Sequence, residues 1–316
     1  EIATNIRYSW MRQMLEFGDG ALVMVGVKVR DNASILNIPF KELVRDIPYH
    51  IVAIQRGDET IIPRGNDVIL PEDLVCFMTT HDQIPYIRKI TGKEEFNEVR
   101  NIIMMGGSRI AVRTTKLIPD GIKVKIIEND LARCHKLLEL VEDNVLVING
   151  DARDLELLRS EGIDHTDVFM ALSDNSEMNI LACLAAKRAG VLRTVSEVEN
   201  IDYISMAEGL DIGSVINKKK LAASTIFQMM LKTDVSSVKC LTFIQAVVAE
   251  FPVNVECYMT RKPVKDLGLP AGANIGGLIR NGKGMNVTGN TMIQVGDHVI
   301  IFCLEHVLKK LEKFFR

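Results

Sequence analysis

Asn101-Ile102-Ile103-Met104-Met105-Gly106-Gly107-Ser108-Arg109-Ile110-Ala111 is the stretch whose reading decides the fold. Four apolar residues in a row, without alternation, read as a strand buried on both faces, as in a parallel sheet covered by helices. The glycine pair that follows opens a helix, which is the strand-turn-helix context of a dinucleotide-binding fingerprint. The pattern Gly-x-Gly-x-x-Gly falls on Gly106, Ser108 and Ala111. Gly106 makes the tight turn, and Ala111 still permits close packing of helix on strand. Ser108 stands where a second glycine would let a pyrophosphate approach the backbone. Its Cβ crowds that approach, while its hydroxyl and the helix start favour an anion and Arg109 supplies a compensating charge. Gly106, Gly107, Ser108, Arg109 and Ile110 therefore form a candidate cofactor-binding turn. A domain with this loop either binds a nucleotide or serves as a dimerisation scaffold.

Downstream residues extend the pattern. Glu128 ends the next apolar run, 22 residues after Gly106, where a carboxylate accepts hydrogen bonds from both ribose hydroxyls and favours an adenosine without a 2′-phosphate. Its plain alternative is a solvated carboxylate at a strand end. Gly150-Asp151-Ala152 follows a third run, where an adenine ring would lie, and Asp151 reads equally as a turn or cap residue. Ser173 follows a fourth run near the expected switch point and is a contact candidate, whereas Asp174 and Glu177 read as a capping-box pair. Strands are expected over 101–105, 123–127, 145–148, 168–172, 193–197 and 213–216. Helices are expected over 109–117, 131–140, 153–160, 176–189 and 201–208. Six strands alternating with helices predict a Rossmann-type domain.

The flanks of this domain repeat each other. Pro39, Lys41, Arg56, Gly65, Asn66 and Asp73 recur 224 residues later as Pro263, Lys265, Arg280, Gly289, Asn290 and Asp297. Each copy reads as a β-rich module with one or two short helices, too small to enclose a substrate pocket beside its own core. A duplicated unit of that period would occupy 448 residues where this chain has 316. Residues 1–15 are accordingly expected to be the terminal helix of a first nucleotide domain, followed by a module over 16–92, the Rossmann domain over 99–217, a crossover helix over 218–235 and a second module over 236–316.

Composition removes several classes of function. At 47% hydrophobic residues and a net charge of −3, the chain has ample core and no basic excess for a nucleic-acid partner. No apolar run approaches the roughly 18–20 residues of a spanning helix. Six cysteines occur singly and read as ordinary buried thiols. The six histidines show no metal-ligand spacing, and no signal-peptide pattern is visible.

Gly150-Asp151-Ala152, Leu157-Leu158, the run 167–172, Ser173-Asp174 through Ala182 and Ala186-Lys187-Arg188-Ala189-Gly190 resemble the RCK (KTN) nucleotide domain. The flanking modules resemble its small α+β partner, the RCK_C (TrkA-C) module, and the resemblance covers essentially the whole chain. It implies a cytoplasmic regulatory subunit of Trk-type potassium uptake, peripheral to the inner face of the membrane. It also implies a homo-oligomer, dimer or tetramer, that gates a TrkH-like integral-membrane potassium transporter in response to NAD(H) or ATP/ADP, without chemistry of its own. Two other classes use the same fold. An NAD-dependent oxidoreductase needs a substrate domain with a general acid or base near the nicotinamide, and only a small module follows here. A redox-sensing transcription regulator needs a basic helix-turn-helix, and Lys218-Lys219-Lys220 reads instead as a solvated first turn. The helix over 221–231 carries more apolar residues than one solvated face should, which points to a dimer contact.

Overall fold

Gln13–Phe17 (β1) and Leu22–Lys28 (β2) form a hairpin that opens the first small module. The computed structural model describes residues 8, 10–43, 47–57, 59–94, 99–230, 235–241, 244 and 246–315, except for the side chains of Phe227 and Met230. The helix expected over 1–15 is corrected at its end, because Gln13-Met14-Leu15 belongs to β1; residues 1–7 and 9 lie outside the described residues. Gly18, Asp19 and Gly20 all have positive φ and turn the chain between the two strands, a signal that the helix expectation overlooked. Tyr49–Arg56 (β3), Glu59–Ile61 (β4) and Leu74–Thr79 (β5) complete a five-stranded sheet in the order β1-β2-β5-β3-β4. Helix Ile84–Ile90 (α1) buries Ile84, Ile87 and Ile90 on one face.

The nucleotide-type domain follows. Asn101–Met105 (β6), Lys123–Glu128 (β7), Val145–Asn149 (β8), Val168–Ala171 (β9), Arg193–Glu197 (β10) and Ser214–Ile216 (β11) pair in parallel in the order β11-β10-β9-β6-β7-β8. The order reverses between β6 and β9, which is the switch point of a doubly wound sheet. Helices Arg109–Thr115 (α2), Leu131–Leu138 (α3), Leu155–Ser160 (α4), Ser176–Arg188 (α5) and Asp202–Gly209 (α6) connect the strands. Ile102, Met104, Ile126, Val168 and Met170 share one core with Ala111 and Leu137 from α2 and α3. The described part of the segment before β1 belongs to this unit: Met11 is buried, and its carbonyl accepts from the Ser214 hydroxyl at 3.3 Å.

Helix Lys218–Met230 (α7) leads to the second module. Ser237–Cys240 (β12), Ala246–Pro252 (β13), Ala273–Arg280 (β14), Lys283–Met285 (β15) and His298–Leu304 (β16) pair in the order β12-β13-β16-β14-β15, the same as in the first copy. A one-turn helix, Leu308–Leu311 (α8), closes it. The duplication reaches fine detail. The β3–β5 register shifts between Ile51 and Ala53, and the β14–β16 register shifts between Ile275 and Gly277. Arg56 grips buried Asp73 through Nε and Nη2 at 2.9 and 2.7 Å and also donates to the Val68 carbonyl. Arg280 does the same to Asp297 at 2.8 and 2.7 Å and to the Met292 carbonyl. Recurrence of these residues in the sequence thus records one internal staple used twice.

The two modules form a single unit, Gln13–Glu95 with Lys219–Arg316. On β13, Val247, Ala249 and Phe251 face the second module's own core, while Ala246 and Val248 turn to a core shared with Leu22, Met24, Val52 and Met78 of the first. Burial on both faces explains why Leu22–Val27 of β2 and Ala246–Ala249 of β13 read as apolar runs rather than alternating ones. Between the two modules, His50 meets Asn274, its counterpart 224 residues on, at 3.2 Å, and burial holds the imidazole pKa below its ordinary value. All six cysteines are free and buried, and burial pushes the thiols of Cys76, Cys183 and Cys303 up to about 12.

Candidate functional site

A cleft opens at the carboxyl ends of β6, β7, β8 and β9, beside the switch point. Gly106, Gly107, Ser108, Glu128, Asp151, Ala152 and Ser173 all line it, so the parallel sheet brings together residues spread over 68 positions of sequence, from 106 to 173. Two expected members do not line it. Arg109 is solvent-exposed on the outward side of α2, and Ile110 packs against the sheet core. One turn of α2 rotates positions 109 and 110 away once Ser108 begins the helix.

Each loop residue has a physical reason to be what it is. Gly106 sits at φ +89, and a Cβ there would lie 3.2 Å from the Ser173 backbone. Gly107 accommodates α3, since a Cβ would meet Leu137 at 2.3 Å. Ser108 caps α2, its hydroxyl accepting from the Ala111 N–H at 3.2 Å. That hydroxyl therefore serves the helix first.

Glu128 is buried, with Oε2 accepting from the Gly107 N–H at 2.8 Å and Oε1 from the Asp130 N–H at 3.0 Å. A carboxylate oxygen has two acceptor positions, so one on each oxygen remains for a ligand. It is not the solvated strand-end group of the plain alternative. Asp151 is held by Arg153, whose hydrogen bonds keep its carboxyl below the ordinary carboxylate range; the cap of α4 is Asp154. The capping box expected from Asp174 and Glu177 is also corrected. The cap of α5 is Asn175, whose Oδ1 accepts from the Met178 N–H at 2.7 Å, while Asp174 lines the cleft.

Asn129, Arg133 and Met178 also border the cleft, and none was a sequence candidate. Behind it lies Asn179, fully buried. Its Oδ1 accepts from the Ser173 N–H and hydroxyl at 3.2 and 2.6 Å, and its Nδ2 donates to the Ser173 and Glu197 carbonyls at 2.7 and 2.8 Å. This one amide ties the loop after β9 to the end of β10. Glu197, at that end, has its carboxyl pKa raised by burial, against the neighbouring Lys218 ammonium.

The TrkA-N domain model matches residues 102–218, and the TrkA-C domain model matches twice, over 24–92 and 248–316. The chain belongs to the TrkA family. Among curated members, the Trk system potassium uptake protein TrkA of Haemophilus influenzae is 29% identical, the match covering 100% of this chain and 70% of that protein. The TrkA of Azorhizobium caulinodans is 28% identical over 308 residues, covering 96% of this chain and 67% of its own length. Of solved structures, the GsuK RCK domain superposes with a TM-score of 0.52 at 15% identity, covering 99% of this chain and 69% of that one. The GsuK channel bound to NAD gives 0.51 at 16% identity, with 99% and 57% covered. These two likenesses are of fold, and they place the TrkA-family chain among RCK architectures.

Proposed function

We propose that this chain is a nucleotide-responsive regulatory part of a Trk-type potassium transport system, and that it performs no chemistry of its own. Glu128 carries this reading. Two backbone N–H groups orient its carboxylate within the cleft before any ligand arrives, leaving acceptor capacity that suits ribose hydroxyls. An adenine nucleotide without a 2′-phosphate, NAD(H) or ATP/ADP, would lie along Gly106–Ser108 with its ribose on Glu128 and its base toward Asp151, Ala152 and Ser173. Names of the curated relatives support potassium uptake, and a TrkH-like membrane protein is the expected partner. No helix among the described residues is long and apolar enough to cross a membrane, and the proposed site of action is the cytoplasmic face. A ligand moves a gate only by its differential affinity for two shapes, and a tenfold difference is worth about 1.4 kcal/mol per site.

Glu128→Ala is expected to weaken binding of ADP, ATP or NADH by about 1–3 kcal/mol, the scale of lost charged hydrogen bonds. Isothermal calorimetry reads this directly, and unchanged affinity rules out the pose. Potassium flux through the reconstituted cognate transporter should respond to nucleotide with the wild-type protein and respond less with the variant. Flux indifferent to the protein under every nucleotide condition, or steady turnover of NADH with a carbonyl substrate, defeats the regulatory reading.

Oligomerisation belongs to the same proposal. On α7, Leu221, Ile226 and Met229 are 48%, 57% and 79% exposed, an apolar face that a second copy would cover; Phe227 and Met230 lie outside the described side chains. Light scattering at tens of micromolar protein should give at least a dimer, and Ile226→Glu with Met229→Glu should shift it to monomer. A monomeric wild-type mass would remove this contact from the proposal.

A further inference from the structure

Among the described residues, Arg133 is the one cation whose side chain lines a cleft that also holds Glu128, Asp151 and Asp174. It occupies the first turn of α3, three residues after the cap Asp130, where a positive charge opposes the helix dipole. Its Nε donates to the Gly107 carbonyl at 3.2 Å and lies 3.8 Å from Glu128 Oε2. Its side chain is 44% exposed, and among the described residues its terminal nitrogens make no hydrogen bond.

The geometry points to Arg133 as a specificity-determining residue that binds a ribose hydroxyl together with Glu128. This rests on the nucleotide reading above and deepens it. A ribose hydroxyl both donates and accepts, a carboxylate only accepts and a guanidinium only donates. An oxygen placed against the free lone pair of Glu128 Oε2 gives its proton to the carboxylate and receives an N–H from the terminal nitrogens of the guanidinium, whose Nε lies 3.8 Å from that carboxylate oxygen. Both hydrogen-bonding capacities of the hydroxyl are then met. A phosphate ester at that oxygen has no proton to give and would set its charge against a buried carboxylate held fixed by two N–H groups. The pair therefore reads a free hydroxyl through two complementary partners. Tethering through Gly107 keeps the guanidinium beside Glu128.

The test is a binding cycle by calorimetry with ADP, 2′-deoxy-ADP and 3′-deoxy-ADP on the wild type, Arg133→Gln and Arg133→Lys. The wild type is expected to prefer ADP at least tenfold over the analogue that lacks the bridged hydroxyl. Arg133→Gln should weaken ADP about tenfold, leave that analogue within threefold of its wild-type affinity and so collapse the preference; Arg133→Lys should fall between. Thermal unfolding of Arg133→Gln should not come earlier than that of the wild type, since a charge opposing the helix dipole has been removed. If Arg133→Gln weakens ADP and both deoxy analogues equally, Arg133 holds phosphate or base and the proposal is wrong. If it changes none of them, Arg133 takes no part in binding and the proposal is wrong again. ADP that does not bind the wild type at millimolar concentration overturns the nucleotide reading itself, and this proposal with it.

Discussion

Phe302→Ala should unfold both small modules together, at a cost of about 3–5 kcal/mol, the range for removing a buried aromatic ring from a core. Phe302 is fully buried in β16 and belongs to the core that Ala246, Val248 and Ile300 of the second module share with Leu22, Met24 and Met78 of the first. The loss combines the transfer energy of the ring with a cavity that two rigid sheets cannot close. A comparison variant separates the shared core from the private one. Leu311→Ala empties a site within the second module's own core, at a cost of about 2–5 kcal/mol. Hydrogen exchange followed by mass spectrometry should show protection lost in β2 and β5 as well as in β13 and β16 for Phe302→Ala. Protection lost only after residue 235 in that variant would mean that the modules are separate folding units, contrary to this expectation.

A comparably large effect is expected in the other unit from a polar residue. Asn179→Ala removes four hydrogen bonds at once and leaves the Ser173 N–H and the Glu197 carbonyl without their buried partner. Each buried group so orphaned costs about 1–3 kcal/mol, and some relaxation is available at the exposed end of the Ser173 loop, so a total of about 2–4 kcal/mol is expected. Urea unfolding checks the stability, and calorimetry with ADP checks the second consequence. Because the same amide sets the position of Ser173 and, through the Gly106 contact, the width of the turn, nucleotide affinity should fall even where the domain remains folded. A variant that loses less than about 1 kcal/mol and binds ADP as the wild type does would show that Asn179 is not the tie between the β9 and β10 loops.

Most of the architecture was legible from one dimension because it rests on local regularities. The strand 101–105 emerges with the expected bounds, since residues buried on both faces leave an apolar run; the strand 193–197 does so as well, although only Val195 in it is apolar. The period of 224 residues recovered the two modules, because the Arg56–Asp73 staple and its copy demand the same residues at the same separation. The Gly106 turn and Glu128 were visible because the backbone geometry of a strand-to-helix turn and the end of the next strand restrict which residues occupy them. Other features depended on where distant segments come to rest. Residues 13–15 of β1 read as the end of a helix, because their identity as strand depends on pairing with β2 across a turn of three positive-φ residues. Asn175 rather than Asp174 caps α5, because the loop path after β9 is set by Asn179 beneath it. Neither the bond from Gly107 to Glu128 nor the guanidinium of Arg133 beside them could be read from spacing, as these contacts join residues 21 and 26 positions apart along the chain. The modules' shared core is of the same kind. Periodicity shows that a strand has two buried faces, and only packing in three dimensions decides what covers each of them.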